Sequence, residues 1–150
     1  MKNPHLLIVD DGPAPFAPLF AAARALGLRI GWLDLMASTP EPLPLDLEAA
    51  AGEGALRAVA VGGGRSVAVK PMRGAPVIGD LLREHFRGCV LVLVRGTLAP
   101  PAVAPPQLSS EGEGFKVAPP GEAARLYTAG DLAAVLRRPR PWGALPRSAS

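Results

Sequence analysis

The sequence predicts an α/β fold: a single-domain, three-layer sandwich with a mixed, partly parallel sheet and about three helices. Residues 5–10 and 28–35 are apolar runs typical of strands, and the apolar residues between them recur at helical spacing. A strand, a helix and a strand within about 30 residues form a βαβ unit, which favours a parallel pair. Residues 89–95 (CVLVLVR) are the most apolar run and predict a central strand.

The middle of the chain predicts a short helix, a hairpin and a longer helix. Residues 46–54 (DLEAAAGEG) hold at most one short helix. Residues 56–61 and 66–70 are strand-like and joined by GGGR, which predicts a hairpin and its turn. A helix is then expected over residues 76–87, because Pro76 suits a first turn and Gly88 suits the position after the last one.

The last third predicts less regular structure. Residues 98–114 are rich in Pro, Ser and Glu and predict an exposed excursion, followed by a short edge strand at residues 115–118. Thr128 and Asp131 form a capping box that begins the last helix. We expect one domain over residues 1–138, followed by a Pro- and Arg-rich tail over residues 139–150. This tail is either frayed or docks Trp142 back on the core or onto a partner.

Composition narrows the class of protein. The single cysteine, Cys89, cannot form an intramolecular disulfide, and with only two histidines we expect no metal site and no cofactor. No run approaches the roughly 20 apolar residues that span a bilayer, so we expect no membrane partner and a cytoplasmic location. One Asn, one Gln and 18 Pro are typical of a thermophile, and a GC-rich genome favours the same residues.

The charge is uneven along the chain. Residues 1–55 carry three basic and seven acidic side chains, a net charge of −4, whereas residues 56–150 carry thirteen basic and six acidic ones, a net charge of +7. This asymmetry indicates either an anionic partner for the second half or two halves that interleave and neutralise each other.

The first candidate site is the loop that holds Lys70, Arg73 and Gly74. It precedes the helix expected at Pro76, and two cations beside exposed N–H groups at a helix N-terminus can hold a phosphate, a sulfate or a carboxylate. The alternative is a pair of solvated cations in a loop.

The second candidate site lies where strands end. Asp10 follows the first strand, and Arg95 and Thr97 come at the end of the strongest one. Ligands of open α/β sheets often bind at the carboxyl ends of the strands, so the three residues predict a cleft there. Alternatively, Asp10 caps the helix that follows it.

Two function classes remain open. The first is a small binding or regulatory module that accepts an anionic, phosphate-type ligand at the Lys70–Gly74 loop. The second is a protein that contacts a partner, or itself, through the Pro-rich residues 98–106 or the tail around Trp142. No nucleophile and base occur at catalytic spacing, which favours a binding protein over an enzyme. Few lysines and no basic repeat argue against nucleic acid.

Overall fold

The structure is a computed structural model that describes residues 3–36, 40, 42, 44–72, 74–96 and 104–142. The chain forms two compact units, one of residues 1–35 with 81–150 and one of residues 36–80. The described residues contain four α-helices: α1 (Ala17–Ala25), α2 (Leu45–Gly52), α3 (Ile78–His85) and α4 (Ala129–Val135). They contain eight strands: β1 (His5–Val9), β2 (Ile30–Asp34), β3 (Ala58–Gly62), β4 (Arg65–Val69), β5 (Leu91–Arg95), β6 (Gln107–Glu111), β7 (Gly114–Ala118) and β8 (Arg125–Tyr127).

A six-stranded mixed sheet organises the first unit, in the order β2-β5-β1-β6-β7-β8. Strand β5 pairs in parallel with β1 on one side and with β2 on the other. Strand β6 meets β1 in parallel at one register position only, and β7 and β8 follow as antiparallel neighbours. The predicted α/β class is therefore confirmed, as are the mixed sheet and the central position of the strand in residues 89–95.

One face of this sheet carries the main core. Leu7, Leu91 and Leu93 are completely buried, and they cluster with Leu19 from α1 and Leu132 from α4. The side chains on this face alternate with those on the other, as a sheet requires. Helices α1 and α4 therefore form one layer of the predicted sandwich.

The opposite face is also covered. Val92 and Val94 alternate along β5 with Leu91 and Leu93 and are likewise fully buried. Gly31 of β2 is the register partner of Val92, and the ring of Phe86, just after α3, occupies the space that a side chain at Gly31 would fill. The carboxyl end of α3 thus packs on this face and supplies the third layer.

The second unit is small and has little core. It contains α2 and the antiparallel hairpin of β3 and β4, which turns at Gly63 and Gly64 with φ of 56° and 74°. The predicted hairpin is therefore confirmed. Ala58 is the one buried apolar residue among its described members.

Three predictions about the sheet are wrong. Strands β1 and β2 are parallel but not adjacent, since β5 lies between them. Residues 107–111, predicted as part of an exposed excursion, form β6, which pairs with β7 and buries Leu108. Residues 115–118 are not an edge strand, because β8 pairs with β7 on its other side. Residues 98–103 of the Pro-rich 98–106 segment lie outside the described residues.

The C-terminal helix agrees with its prediction, and Trp142 in the described part of the tail follows one of the predicted alternatives. The backbone N–H of Asp131 donates to Thr128 Oγ1 at 3.1 Å, which is the predicted helix cap. Beyond the helix, Pro141 is buried and half-buried Trp142 packs against the core. The ring of Trp142 meets the ring of His5 edge to face, with centroids 5.8 Å apart. The tail is therefore docked at these positions rather than frayed.

Candidate functional site

The loop predicted as the first binding site is only partly described. Lys70 is half-buried, Gly74 is exposed with φ of 68°, and Arg73 lies outside the described residues. Helix α3 begins at Ile78, two residues later than expected from Pro76. The structure thus gives no arrangement of the two cations, and the ligand-binding role of this loop stays a prediction.

The carboxyl ends of the parallel strands bring Asp10 and Arg95 to one edge of the sheet. Val9 and Arg95 are register partners, and Asp10 directly follows Val9. Thr97, the third residue predicted there, lies outside the described residues. Side chains from neighbouring strands already hold both charges: Arg95 binds Asp34 at the end of β2, and Gln107 of β6 donates to Asp10 Oδ2 at 3.0 Å.

The Arg95–Asp34 pair is a two-bond ion pair. Arg95 Nε donates to Asp34 Oδ1 at 3.0 Å, and Arg95 Nη2 donates to Asp34 Oδ2. The guanidinium also lies over Trp32, with Cζ 5.6 Å from the ring centroid. Hydrogen bonding from Arg95 holds the pKa of Asp34 below its usual range, and Asp34 raises the pKa of Arg95. An anion that binds Arg95 must therefore compete with Asp34.

Metal binding finds no further support at this edge. Asp10 and Asp11 are both exposed, and Asp34 is committed to Arg95. Within the described residues, no three His, Cys, Asp or Glu side chains come together as metal ligands would.

The amino ends of the same strands border a cavity of about 620 Å³ in the first unit. It lies between the start of β1, the residues before β5 and the end of α4. Its lining residues are Asn3, His5, Gly88, Cys89, Val90, Leu136, Arg137, Arg138 and Pro139.

A second cavity of about 320 Å³ adjoins the first. It lies beside the end of α3, and its lining residues are Asn3, Pro4, Leu82, Arg83, Phe86, Arg87 and Gly88. The two cavities share Asn3 and Gly88, so they meet at the amino edge of the sheet.

Arginine dominates the electrostatics of this edge. Two arginines line each cavity, and Arg29 Nη1 lies 3.7 Å from the point where a Cβ at Gly88 would stand. Of the described residues that line the cavities, none is acidic. We call this set the amino-edge arginine cluster; its members are Arg29, Arg83, Arg87, Arg137 and Arg138.

The helix dipoles do not cancel this charge. Three helices, α1, α3 and α4, end at this side of the sheet, and each C-terminus carries a partial charge of about −0.5. Together they supply about −1.5 against five guanidinium charges. The helix ends therefore offset only part of the charge of the cluster.

Local hydrogen bonds hold the larger cavity in shape. Arg137 Nη2 donates to the carbonyl of Leu26 at 2.7 Å, which ties the end of α4 to the end of α1. His5 Nε2 donates to the carbonyl of Arg138 at 3.1 Å. Because that bond places the proton on Nε2, the neutral His5 ring keeps Nδ1 as an acceptor.

Cys89 is half-buried in the wall of the larger cavity. Burial raises the pKa of its thiol, and the charge of Arg29 opposes this only in part. The side chain is therefore a thiol at neutral pH and a poor nucleophile.

Sequence reasoning missed this edge, although a signal was present. The cluster residues lie in or just beyond the last turn of a helix, or just before a strand. In a parallel α/β sheet the helix ends and the strand starts lie on the same side. Arginines that recur at these positions in several βα units therefore predict a shared basic edge.

Two further observations concern membrane helices and similarity to known proteins. None of the described helices has the length and apolarity needed to cross a membrane. No protein-family model matches this sequence, and a search of curated proteins found none with significant similarity to it.

Proposed function

We propose that this protein is a binding module for an anionic, phosphate-type ligand, and that the ligand binds at the amino-edge arginine cluster. The supporting observation is that four arginines line two adjoining cavities and the guanidinium of Arg29 lies near Gly88, which lines both, with no acidic residue among their described lining. The ligand class is the one that the sequence predicts. The site differs from the predicted Lys70–Gly74 loop.

The chemistry of arginine supports an anion. A guanidinium presents several N–H donors in one plane and matches the oxygens of phosphate or carboxylate in a two-bond geometry. Arg138 is exposed on the wall of the larger cavity, so its donors are accessible to a ligand. The volume of about 620 Å³ lies within the range of about 300–1,000 Å³ typical of small-molecule sites.

The Lys70–Gly74 loop is the competing location for the same ligand class. It offers Lys70 and Arg73 ahead of α3, whereas the amino edge offers five arginines from two helix ends and one strand start. More guanidiniums around a cavity favour the amino edge. Variants in each region separate the two locations.

The test is anion binding by the purified chain. A thermal-shift screen with inorganic phosphate, sulfate and phosphorylated metabolites comes first, since a ligand at a hundred times its Kd adds about 2.7 kcal/mol to stability. Calorimetric titration then gives Kd for the best ligand. We expect Arg138→Glu to weaken binding at least about tenfold, because a repulsive charge replaces an attractive one at short range.

Two further variants serve as controls for Arg138→Glu. Arg65→Glu changes the net charge equally but lies in the hairpin of the other unit, so its Kd should equal that of the unaltered chain. If Arg73→Glu abolishes binding and Arg138→Glu does not, the ligand class is right and the amino-edge location is wrong. If no anion binds, the proposal fails.

The interaction class is then the remaining candidate. It is favoured by exposed apolar side chains: of the ten large ones among the described residues, eight belong to residues 36–80. The docked Trp142 is less suited to a partner, because its ring already packs within its own unit. A cytoplasmic location and a thermophilic source also remain proposals, and they rest on composition alone.

A further inference from the structure

We infer that the ligand carries two or more linked phosphate groups and crosses the amino edge of the sheet, with one phosphate in each cavity. This inference rests on the proposed function and specifies its ligand class. It follows from where the two cavities lie, what separates them and how the arginines are divided between them.

The two cavities are bordered by helix ends that lie on opposite faces of the sheet. The larger one is bordered by the end of α4, which packs on the face of Leu91 and Leu93. The smaller one is bordered by the end of α3 and by Phe86, whose ring lies on the face of Gly31 and Val92. A ligand that occupies both must therefore pass over the edge of the sheet.

The crossing point is open and positively charged. Asn3 and Gly88 line both cavities, and Gly88, with φ of 83°, has no side chain to block the passage. The guanidinium of Arg29 lies beside Gly88, so a cation stands between the two arginine pairs. The positive charges thus continue from one cavity to the other.

The division of the arginines favours a linked anion over a single one. Arg137 and Arg138 belong to the end of α4, while Arg83 and Arg87 belong to the end of α3. One phosphate group contacts one pair. A linked second phosphate reaches the other pair without a second loss of translational freedom, and this raises affinity by effective concentration.

The probes are orthophosphate and linear tripolyphosphate, each titrated into the full chain. We expect tripolyphosphate to bind at least about tenfold more tightly, in line with gains from linking two sites. Arg138→Glu and Arg87→Glu each change one cavity, and each should reduce the affinity for tripolyphosphate to about that for orthophosphate. Arg65→Glu, the control with the same charge change, should retain the full gain.

Arg87 and Arg138 are exposed, so we expect both variants to fold. Melting curves of the variants check this. Adenosine triphosphate distinguishes two sources of linked phosphates: tighter binding than tripolyphosphate identifies a nucleotide, and weaker binding identifies an inorganic chain. Equal affinity for orthophosphate and tripolyphosphate overturns the inference and leaves the proposed function in place. The same holds if the higher affinity for tripolyphosphate is lost in only one of the two variants. Absence of binding by either probe overturns both.

Discussion

The two ends of the parallel strands hold arginines in opposite situations. At the carboxyl edge, Arg95 is bound through two N–H groups to Asp34 and lies over Trp32. At the amino edge, the arginine cluster borders two cavities that have no acidic residue in their described lining. The carboxyl edge uses its arginine to join β5 to β2, whereas the amino edge places two arginines in the lining of each of two cavities.

The site that we propose lies at the edge opposite to the one usual in open α/β sheets. Ligands commonly bind at the carboxyl ends of the strands, where helix N-termini attract anions. Here the carboxyl edge is closely packed: Leu35 N donates to the carbonyl of Arg95 at 2.8 Å, and Gly96 lies against Leu35. We therefore place the proposed site at the amino edge, where arginines from two helix ends line two cavities.

The largest expected effect is on stability at the carboxyl edge. Gly96 has φ of 111°, and a Cβ there would lie 2.2 Å from the carbonyl oxygen of Leu35. We expect Gly96→Ala to cost about 3 kcal/mol or more, since backbone strain and a clash with backbone add together. Thermal or denaturant unfolding measures this loss.

Gly88 at the amino edge is the matched control for that substitution. Its φ of 83° is also left-handed, but a Cβ would meet only the flexible Arg29 side chain, at 3.7 Å. Gly88→Ala should therefore cost only the backbone strain, about 1 kcal/mol. Equal losses for the two variants would contradict the contrast between a packed edge and an open one.

A smaller effect concerns pH and the Asp34–Arg95 pair. Asp34 has a folded-state pKa below its usual value of 3.8, so the pair stabilises the fold fully at neutral pH and loses this contribution as the pH falls below about that value. We expect Asp34→Asn to melt a few degrees lower than the unaltered chain at pH 7. The difference should shrink steadily toward pH 2.

Glu111→Gln serves as its control. Glu111 and Lys116 form an exposed ion pair at 3.4 Å with a single contact, which contributes little at any pH. If the melting temperature of Asp34→Asn is lower by the same amount at every pH, the Asp34 side chain acts through packing or through neutral hydrogen bonds. The ion-pair account of the carboxyl edge would then be wrong.

The smallest expected effect is on ligand binding at the carboxyl edge. Because Asp34 already neutralises Arg95, we expect Arg95→Gln to leave the Kd for inorganic phosphate within about twofold, while Arg138→Glu raises it strongly. Calorimetric titration of the two variants under the same conditions makes the comparison. A tenfold loss in Arg95→Gln would instead favour the predicted cleft of Asp10, Arg95 and Thr97.

Much of the secondary structure could be predicted because its causes are local. Apolar periodicity located β1, α1 and β5, the glycines located the β3–β4 turn, and the Thr128–Asp131 cap located α4. Strands β6 and β8 were missed because they are short and partly polar. Each is held by pairing with β7 rather than by its own sequence pattern.

For the candidate sites too, the sequence predicts some features and the tertiary structure decides others. By itself the sequence determined the α/β class and the positions of arginines at the ends of elements. Only the tertiary structure decided the strand order, and with it that Arg95 meets Asp34, 61 residues away in the chain, while arginines from several elements share the opposite edge. The physical reason is that helices and turns depend on neighbours in sequence, whereas an electrostatic site depends on which distant elements the packed sheet brings together.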